Sequence, residues 1–265
     1  MNTVIFVHGA WVTPLCWRYF APIFADHGYR TLIPAWPLKD WPIADQLSCP
    51  DRRLARVGIS EIVAHYRSVI ERQPEPPLLI GHSFGGLIVQ LLLDQGLGVA
   101  GIAINSVPPR GVPPLRLSPF ETARKVWKLF LAPAGWGGIL PPPEPDDAEK
   151  ELRRRQGIET NLVPESRRIF RQLLTRAATV DYRNALRAPL LLVGGGQDRC
   201  VPAELQRRNW RRYAAWPART DFFEFGDLTH LSIAEPGREA LAAYCMGWIE
   251  SLEIGEPEVR FTPAG

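Results

Sequence analysis

Residues 78–89 read Leu-Leu-Ile-Gly-His-Ser-Phe-Gly-Gly-Leu-Ile-Val. An apolar run of strand length leads into a Gly-x-Ser-x-Gly turn at residues 81–85, and an apolar segment of helical character follows it. A serine at such a tight strand-to-helix turn lies in strained backbone and projects its hydroxyl clear of the sheet. We expect glycine at 81 and 85 because a Cβ there would collide with neighbouring backbone. A glycine-rich turn with an incidental serine is the alternative, which the strand–turn–helix context disfavours.

Further apolar runs lie on both sides of this stretch, and amphipathic segments separate them. The predicted strands are Val4–Val7, Arg30–Ile33, Leu78–Gly81, Gly101–Asn105, Leu190–Gly194 and Asp221–Phe225. The predicted helices between them are Cys16–His27, Ile59–Arg72, Gly85–Gln95, Glu204–Ala214 and Gly237–Leu252. Solidly apolar strands that alternate with helices predict an α/β fold, with a mostly parallel sheet flanked by helices on both faces.

The alternation stops between about residues 108 and 188, where no convincing strand is visible. Helices are predicted there over Ser118–Leu131, Pro145–Gly157 and Pro164–Thr179, and the first carries an apolar stripe at helical spacing. The sequence therefore predicts a core formed by residues 1–107 and 186–265, with a helical lid insertion at residues 108–185.

The composition excludes several classes of protein. The chain has 265 residues, of which 46% are hydrophobic and 22% charged, and its formal net charge is +3. This apolar content excludes an intrinsically disordered chain, and a nucleic-acid binder usually carries a larger and more clustered excess of basic residues. The longest apolar runs have strand length, far below the roughly 18 residues of a membrane span. We therefore expect a globular protein with neither a membrane span nor a nucleic-acid partner.

Targeting and cofactor patterns are also missing from the sequence. The N-terminus leads directly into an apolar run, without the basic region and cleavage site of a signal peptide. The four cysteines are scattered, which favours free, mostly buried thiols and a cytoplasmic location. No metal-ligand spacing occurs, and Gly194-Gly195-Gly196 is not a dinucleotide fingerprint. The expectation is a small-molecule substrate, no metal and no cofactor, and a homo-oligomer stays open.

Serine needs a base to become nucleophilic at neutral pH, and the chain has five histidines. His8 lies in the exit loop of the first strand, His82 inside the serine turn, His27 in another turn and His65 within a predicted helix. His230 lies in the loop between the last predicted strand and the last helix. A loop histidine taken alone would more often be structural. Elimination and the chain order Ser–Asp–His indicate His230 as the general base.

The third candidate is an acid that fixes the imidazole tautomer and stabilises the imidazolium. Asp198 follows an apolar strand, at the carboxyl end where the sites of parallel sheets collect. Asp227, Asp221 and Asp181 compete with it, and Asp227 stands three residues before His230, where it is able to cap a turn. The same chain order favours Asp198.

Two backbone amides are predicted to stabilise an oxyanion. The Phe84 amide lies at the N-terminus of the helix that follows Ser83, and the Ala10 amide lies in the loop that leaves the first strand. Trp11 either walls the pocket or packs against the core, and both fit the sequence. The other candidate pocket walls are Trp127, Phe130 and Trp136 of the insertion, although the helical stripe that contains Trp127 and Phe130 fits lid-to-core packing equally well.

Together these residues resemble the α/β-hydrolase superfamily over essentially the whole chain. The motifs that carry the resemblance are His8-Gly9-x-Trp11, Gly81–Gly86, Gly196-Gln197-Asp198 followed by Val201-Pro202, and His230 followed by Glu235-Pro236. The chain begins at the strand that bears the oxyanion loop, a short form similar to small bacterial esterases and to the plant methyl esterase and hydroxynitrile lyase branch. The resemblance implies that the insertion is the lid of that family.

Departures from these relatives narrow the expected chemistry. Related dehalogenases and epoxide hydrolases carry an aspartate nucleophile where this chain has Ser83. Related lyases commonly replace the glycine found here at Gly9 and place a lysine where this chain has Leu231. We therefore expect a serine hydrolase acting on a carboxylic ester or lactone of small to medium, largely apolar character. The alternative is a lyase, a carbon–carbon bond hydrolase, a cofactor-free dioxygenase or a catalytically silent small-molecule binding protein of the same fold.

Overall fold

A computed structural model describes residues 3–112, 137–144, 150, 153–154 and 162–252 of the chain. The strands are β1 (Thr3–Val7), β2 (Arg30–Leu32), β3 (Leu78–His82), β4 (Ala100–Ile104), β5 (Ile139–Leu140), β6 (Glu165–Ser166), β7 (Leu190–Gly195) and β8 (Thr220–Phe225). The α-helices are α1 (Ala21–Asp26), α2 (Ile43–Ser48), α3 (Ile59–Glu71), α4 (Phe84–Asp94), α5 (Arg167–Gln172), α6 (Ala203–Tyr213) and α7 (Arg238–Glu250). Short 3-10 helices lie at Pro14–Trp17, Arg52–Arg56 and Arg176–Ala178.

One six-stranded sheet runs through the molecule in the order β2-β1-β3-β4-β7-β8. Every neighbouring pair in it is parallel, so the carboxyl ends of its strands lie at one edge. Leu79 of β3 is in register with Ile5 of β1 on one side and with Gly101 of β4 on the other. This confirms the predicted parallel sheet, and it places Ser83, which follows β3, at the middle of that edge.

Successive residues of the central strands alternate between two apolar cores, as the pleat of a strand requires. Ile5 and Leu79 face a core that α3, α4, α5 and α6 complete. Phe6 and Ile80 face a second core with α1 and α7. All four side chains are fully buried, and burying a side chain of this size contributes about 1.5–3 kcal/mol. The helical layers on both faces are thus confirmed, and they hold the strand ends in place.

The predicted helix at residues 16–27 is two shorter elements instead. Its first part belongs to the 3-10 helix at residues 14–17, which Thr13 caps by accepting a hydrogen bond from the Leu15 amide at 3.4 Å. Its second part is α1, which has Pro22 in the first turn. Because proline has no amide hydrogen to donate to the preceding turn, a helix cannot continue through Pro22 with its hydrogen bonds intact.

The described part of the insertion contains two short strands that the sequence did not predict. β5 and β6 pair antiparallel, and each has only two residues, which is too short to produce a recognisable alternation. The predicted helix at residues 164–179 is divided into β6, α5 and a 3-10 helix. Ser166 and Thr175 cap these two helices separately through their hydroxyl groups, which explains the division.

Several predictions for the insertion fall outside the described residues. These are the helix Ser118–Leu131, most of the helix Pro145–Gly157, and the side chains of Trp127, Phe130 and Trp136. The division into a core and a lid at residues 108–185 accordingly stays a prediction.

All four cysteines lie among the described residues and none forms a disulfide, but their burial differs from the expectation. Cys245 is buried and Cys16 is half-buried, whereas Cys49 and Cys200 are exposed. Mostly buried thiols were therefore the wrong prediction. Cys49 ends α2 and Cys200 follows β7 in a polar loop, so neither lies on an apolar face. Within the described ranges, no helix combines the length and the apolar character needed to cross a bilayer.

Candidate active site

Ser83 lies in the tight turn between β3 and α4, with a φ of 57°. A Cβ added to Gly81 would overlap the backbone of Gly85, and one added to Gly85 would overlap the carbonyl of Val7. Glycine is therefore required at both positions, as the sequence predicts. The turn is tied to the next strand because the Ser83 amide donates to the Ile104 carbonyl at 2.9 Å. A serine in left-handed backbone is strained, and such strain concentrates at functional sites.

The structure brings Ser83, His230 and Asp198 into one hydrogen-bonded chain. His230 Nε2 lies 3.0 Å from Ser83 Oγ, and His230 Nδ1 lies 2.7 Å from Asp198 Oδ2. Asp198 is buried, and its other oxygen accepts from the amides of Cys200 at 2.7 Å and Val201 at 2.8 Å. With Nδ1 donating to the carboxylate, the neutral ring presents the Nε2 lone pair to the serine hydroxyl. This is the geometry of a general base beside a nucleophile.

The three competing aspartates lie elsewhere. Asp227 is exposed. Asp221 accepts a hydrogen bond from the indole of Trp248 at 2.7 Å, and Asp181 accepts from the backbone amide of Arg183 at 2.9 Å. The carboxylate that meets the imidazole is therefore the one that follows β7, in agreement with the chain-order argument.

The loop that carries His230, residues 226–235, is held at three backbone groups. Glu235 accepts from the Thr229 amide at 2.6 Å and from the Thr229 hydroxyl at 2.8 Å. Asn105 Nδ2 donates to the Thr229 carbonyl at 2.8 Å, and the His82 ring lies with Nε2 2.8 Å from the His230 carbonyl. These contacts come from β3, from the end of β4 and from the loop itself, so the core fixes the position of His230.

Asn105 is a supporting residue that the sequence analysis missed. It is completely buried, has a φ of 46°, and accepts a hydrogen bond from the Gly195 amide at 2.7 Å through Oδ1. Its Nδ2 also donates to Ser232 Oγ at 3.1 Å. One side chain thus connects β4, β7 and the His230 loop. The available signal was an amide residue that ends a solidly apolar strand at the functional edge of the sheet.

Two other histidines are buried beside the site and stay uncharged. Burial lowers the pKa of His8 to about 3, and it lowers the pKa of His82 to about 3 as well, with the charge of His230 as a further cause. His8 Nδ1 donates to the Gly9 carbonyl at 2.9 Å, and its Nε2 accepts from the Trp36 amide at 3.0 Å. Both rings therefore serve as fixed hydrogen-bonding groups near neutral pH.

The predicted oxyanion loop, residues 8–11, packs directly against Ser83. A Cβ added to Gly9 would lie 3.0 Å from Ser83 Cβ and 3.5 Å from Ser83 Oγ. Ala10 follows Gly9 in this loop and is half-buried. Phe84 is the first residue of α4, where the amides have no partner within the helix. Both predicted amides thus belong to segments that adjoin the serine.

Trp11 packs against the core beside the site. It is half-buried, and its ring stacks on Phe170 of α5 with centroids 4.5 Å apart. Phe170 in turn meets the edge of Phe84 at 5.9 Å. A packed aromatic cluster therefore connects the predicted oxyanion loop with α5 and with the first residue of α4.

Cys200 approaches the same site. Its Sγ, a carboxylate oxygen of Asp198 and a ring nitrogen of His230 all lie within 4.8 Å of one another. Thiolate, carboxylate and imidazole are zinc ligands in general. Here two of the three groups already share the hydrogen bond between imidazole and carboxylate.

Comparison with known proteins identifies the family. The family model described as the alpha/beta hydrolase family matches residues 4–243, and the chain belongs to this family. No curated protein sequence gives a significant match.

Solved structures with the same fold include proteins named as a hydrolase, a lipase and a methylesterase. A pyrethroid hydrolase from Sphingobium faniae JZ-2 is 18% identical with a TM-score of 0.66, covering 94% of this chain and 98% of that one. A monoacylglycerol lipase from Paleococcus ferrophilus is 18% identical with a TM-score of 0.66, covering 94% of each chain. A methylesterase from Arabidopsis is 16% identical with a TM-score of 0.61, covering 95% of this chain and all (100%) of that one. At these identities the similarity shows the fold alone.

Proposed function

We propose that the protein is a serine hydrolase that cleaves a carboxylic ester or lactone through a covalent acyl-enzyme. The observation that carries the proposal is the hydrogen-bonded chain from Ser83 Oγ through His230 to Asp198, with links of 3.0 Å and 2.7 Å. The serine of this chain of hydrogen bonds has strained backbone and lies at the carboxyl edge of a parallel sheet, where active sites of such sheets are commonly found.

The reaction has two acyl-transfer steps. Ser83 attacks the substrate carbonyl while His230 takes its proton, and Asp198 holds the imidazole and stabilises the imidazolium. The Ala10 and Phe84 amides stabilise the oxyanion of each tetrahedral intermediate. His230 then protonates the leaving group, and in the second step it activates the water that releases the acid. No step requires a metal ion or an organic cofactor.

The substrate is proposed to be small to medium in size and largely apolar. The side chains of Trp11, Phe170 and Phe84 form a continuous aromatic cluster beside the turn that carries Ser83, which gives the site an apolar surrounding. The similar structures named above are named for cleavage of pyrethroid, acylglycerol and methyl esters, which supports an ester over other acyl compounds. The free cysteines fit the cytoplasmic location that we also propose.

Covalent labelling tests the nucleophile and a substrate panel tests the reaction. A fluorophosphonate probe should label Ser83, and Ser83→Ala should fold normally, resist labelling and lose several orders of magnitude in kcat. The panel comprises p-nitrophenyl esters of increasing chain length together with lactones. Near-wild-type turnover by folded Ser83→Ala would contradict the proposal. Labelling without turnover of any panel member would favour the lyase or carbon–carbon hydrolase alternative.

Chelation provides a separate check. Because the proposed reaction uses only side chains and backbone amides of this chain, ester hydrolysis should survive exhaustive dialysis against a chelator. A loss of activity that a single metal ion restores would refute the proposed mechanism.

A further inference from the structure

The carboxylate of Glu165 is completely buried and joins three segments of the chain. Its Oε2 accepts from the Trp11 backbone amide at 3.1 Å and lies 2.9 Å from Lys39 Nζ. Its Oε1 accepts from the Ser166 amide at 2.8 Å. Both side chains of the ion pair have no exposed surface (0% each), so water does not compete for these bonds.

Lys39 is fixed on its other side as well. Its ammonium donates to the Pro164 carbonyl at 2.8 Å. Burial lowers the pKa of Lys39, and the charge and hydrogen bond of Glu165 oppose that change. The lysine therefore serves as the counter-ion that allows a carboxylate to be buried at this place.

The target of the carboxylate is the backbone beside the proposed oxyanion amide. Trp11 follows Ala10 and has a φ of 59°, a conformation that is strained for a tryptophan. Its amide is bound by Glu165, and its carbonyl accepts from the Val163 amide at 2.8 Å. Residues 163–165, which we call the clamp segment, thus bind both polar backbone groups of Trp11.

A purely structural role would not require a charged pair. Apolar side chains of similar volume usually hold two segments together at least as well as a buried ion pair does. They would, however, leave the Trp11 amide without its acceptor. A strained backbone conformation persists only where its surroundings over-determine it. The carboxylate supplies that constraint one residue away from Ala10.

We propose that Glu165, with Lys39 as its counter-ion, is a positioning residue that fixes the Trp11 peptide and thereby aims the Ala10 amide at the oxyanion. The inference rests on the proposed serine hydrolase function. Because the clamp segment belongs to the predicted insertion, the inference also makes the oxyanion loop dependent on the insertion rather than on the sheet alone.

Two variants and one matched control test the inference. Glu165→Met keeps most of the volume but removes both acceptor oxygens, so the Trp11 and Ser166 amides both lose their acceptor. The double variant Lys39→Met/Glu165→Met removes both charges together, which avoids a lone buried charge and protects folding. The control is Arg187→Met, since Arg187 is also buried and polar but donates to the Ala218 and Arg219 carbonyls just before β8, at the amino-terminal edge of the sheet.

The measurements are kcat and KM for p-nitrophenyl acetate, and the affinity for benzeneboronic acid, which forms a tetrahedral adduct with a nucleophilic serine. Both Glu165 variants should lose about 10- to 100-fold in kcat, below the roughly 10²–10³-fold cost of deleting an oxyanion donor outright. KM should change little, because the amide acts on the transition state. Boronate affinity should fall by the same factor as kcat, and the control should lose thermal stability without either change.

The outcomes separate the inference from the function on which it rests. If the wild type is labelled by fluorophosphonate and active, and folded Glu165 variants keep its kcat and boronate affinity, the positioning role is overturned while the hydrolase proposal stands. An equal loss in the Arg187 control likewise overturns the positioning role. If the wild type neither labels nor hydrolyses any ester, the proposed function fails, and the positioning role fails with it.

Discussion

Two loops meet at Ser83, and the molecule holds them in different ways. The His230 loop is fixed by side chains of the sheet and of the loop itself, through Asn105, His82 and Glu235. The oxyanion loop is fixed by a buried ion pair that reaches it from residues outside the sheet core, through Glu165 and Lys39. In the proposed mechanism, the base is thus positioned by the part of the fold that forms the sheet, and the oxyanion amide by the clamp segment.

Because the two loops are anchored differently, substitutions in the predicted insertion should affect them differently. Changes within residues 108–185 should leave the proposed nucleophile and base at hydrogen-bonding distance. The residues that anchor the His230 loop, His82, Asn105 and Glu235, all lie outside that region. They should act instead on oxyanion stabilisation through residues 163–165. Substrate choice and catalytic rate would then be linked through the insertion.

The largest expected effect concerns the acid of the His230 loop. Asp198→Asn should retain the fold but present an amide to His230 Nδ1, which favours the wrong tautomer. A loss in kcat of about 10⁴-fold is expected by analogy with the serine-protease template, a different protein. The matched control is Asp227→Asn on the same loop, where an exposed carboxylate should cost no more than about 1 kcal/mol of stability. If kcat falls about 10⁴-fold in Asp227→Asn and not in Asp198→Asn, the assignment of Asp198 as the acid is wrong.

Acid sensitivity provides a second comparison, because a buried neutral histidine lies in the oxyanion loop (His8) and another contacts the His230 loop (His82). The pKa values of His8 and His82 are each lowered from 6.5 to about 3. Below about pH 6.5 these two histidines bind protons in the unfolded chain but stay neutral in the folded chain. The free energy of unfolding is therefore highest above that pH and falls progressively toward pH 3. Each histidine contributes about 1.4 kcal/mol per pH unit to this loss.

Urea unfolding between about pH 6.5 and 5 measures this slope. His8→Gln and His82→Gln should each lower stability at neutral pH, yet each should remove about 1.4 kcal/mol per pH unit from the acid slope. A variant that keeps the wild-type slope would show that its histidine is protonated in the folded protein, and the uncharged state assigned to that loop would be wrong.

Much of the sheet and its edge could be predicted from the sequence, because the physical constraints are local. A continuous apolar run of strand length indicates a strand of a parallel sheet that is covered on both faces. The glycines on either side of Ser83 are required by close backbone contacts within the turn and with β1. Chain order then selected His230 and Asp198 as candidates, and the structure places both at hydrogen-bonding distance along one chain.

The supports of the site could not be predicted in the same way. Asn105 contacts residues 124 and 90 positions away, and Glu165 contacts Trp11 at a separation of 154 positions. Neither contact leaves a periodic or spacing pattern in a single sequence, since each depends on how the elements pack. β6 was missed for a related reason: two residues are too few to show the period of a strand.

A smaller effect is expected for the neutral anchor of the His230 loop. Asn105→Ala leaves the Gly195 amide and the Thr229 carbonyl without their buried partner, at a cost of about 1–3 kcal/mol of stability for each group. Because the loop then loses one of its tethers, kcat should fall by about 10-fold, a misalignment loss within the range of general-base effects.

Asn184→Ala is the control for this variant. Asn184 also donates through Nδ2 to a backbone carbonyl, that of Asp94, but it does so at the end of α4 that points away from Ser83. It should lose stability without a change in kcat measured with p-nitrophenyl acetate. Equal kinetic losses in Asn105→Ala and Asn184→Ala would show that the effect is general softening rather than displacement of His230.

The smallest expected effect is the coupling energy between the two loops, which tests whether they are held independently. Asn105 and Glu165 share no hydrogen-bond partner among the bonds reported for the described residues. The free energies of unfolding of Asn105→Ala and Glu165→Met should therefore add in the double variant to within about 0.3–0.5 kcal/mol. The fold-losses in kcat should multiply, because one variant displaces the base and the other the oxyanion amide. A coupling energy above that margin, in both stability and kcat, would mean that the position of the His230 loop also depends on the clamp segment. The proposal that the core positions the base while the insertion positions the oxyanion amide would then be wrong.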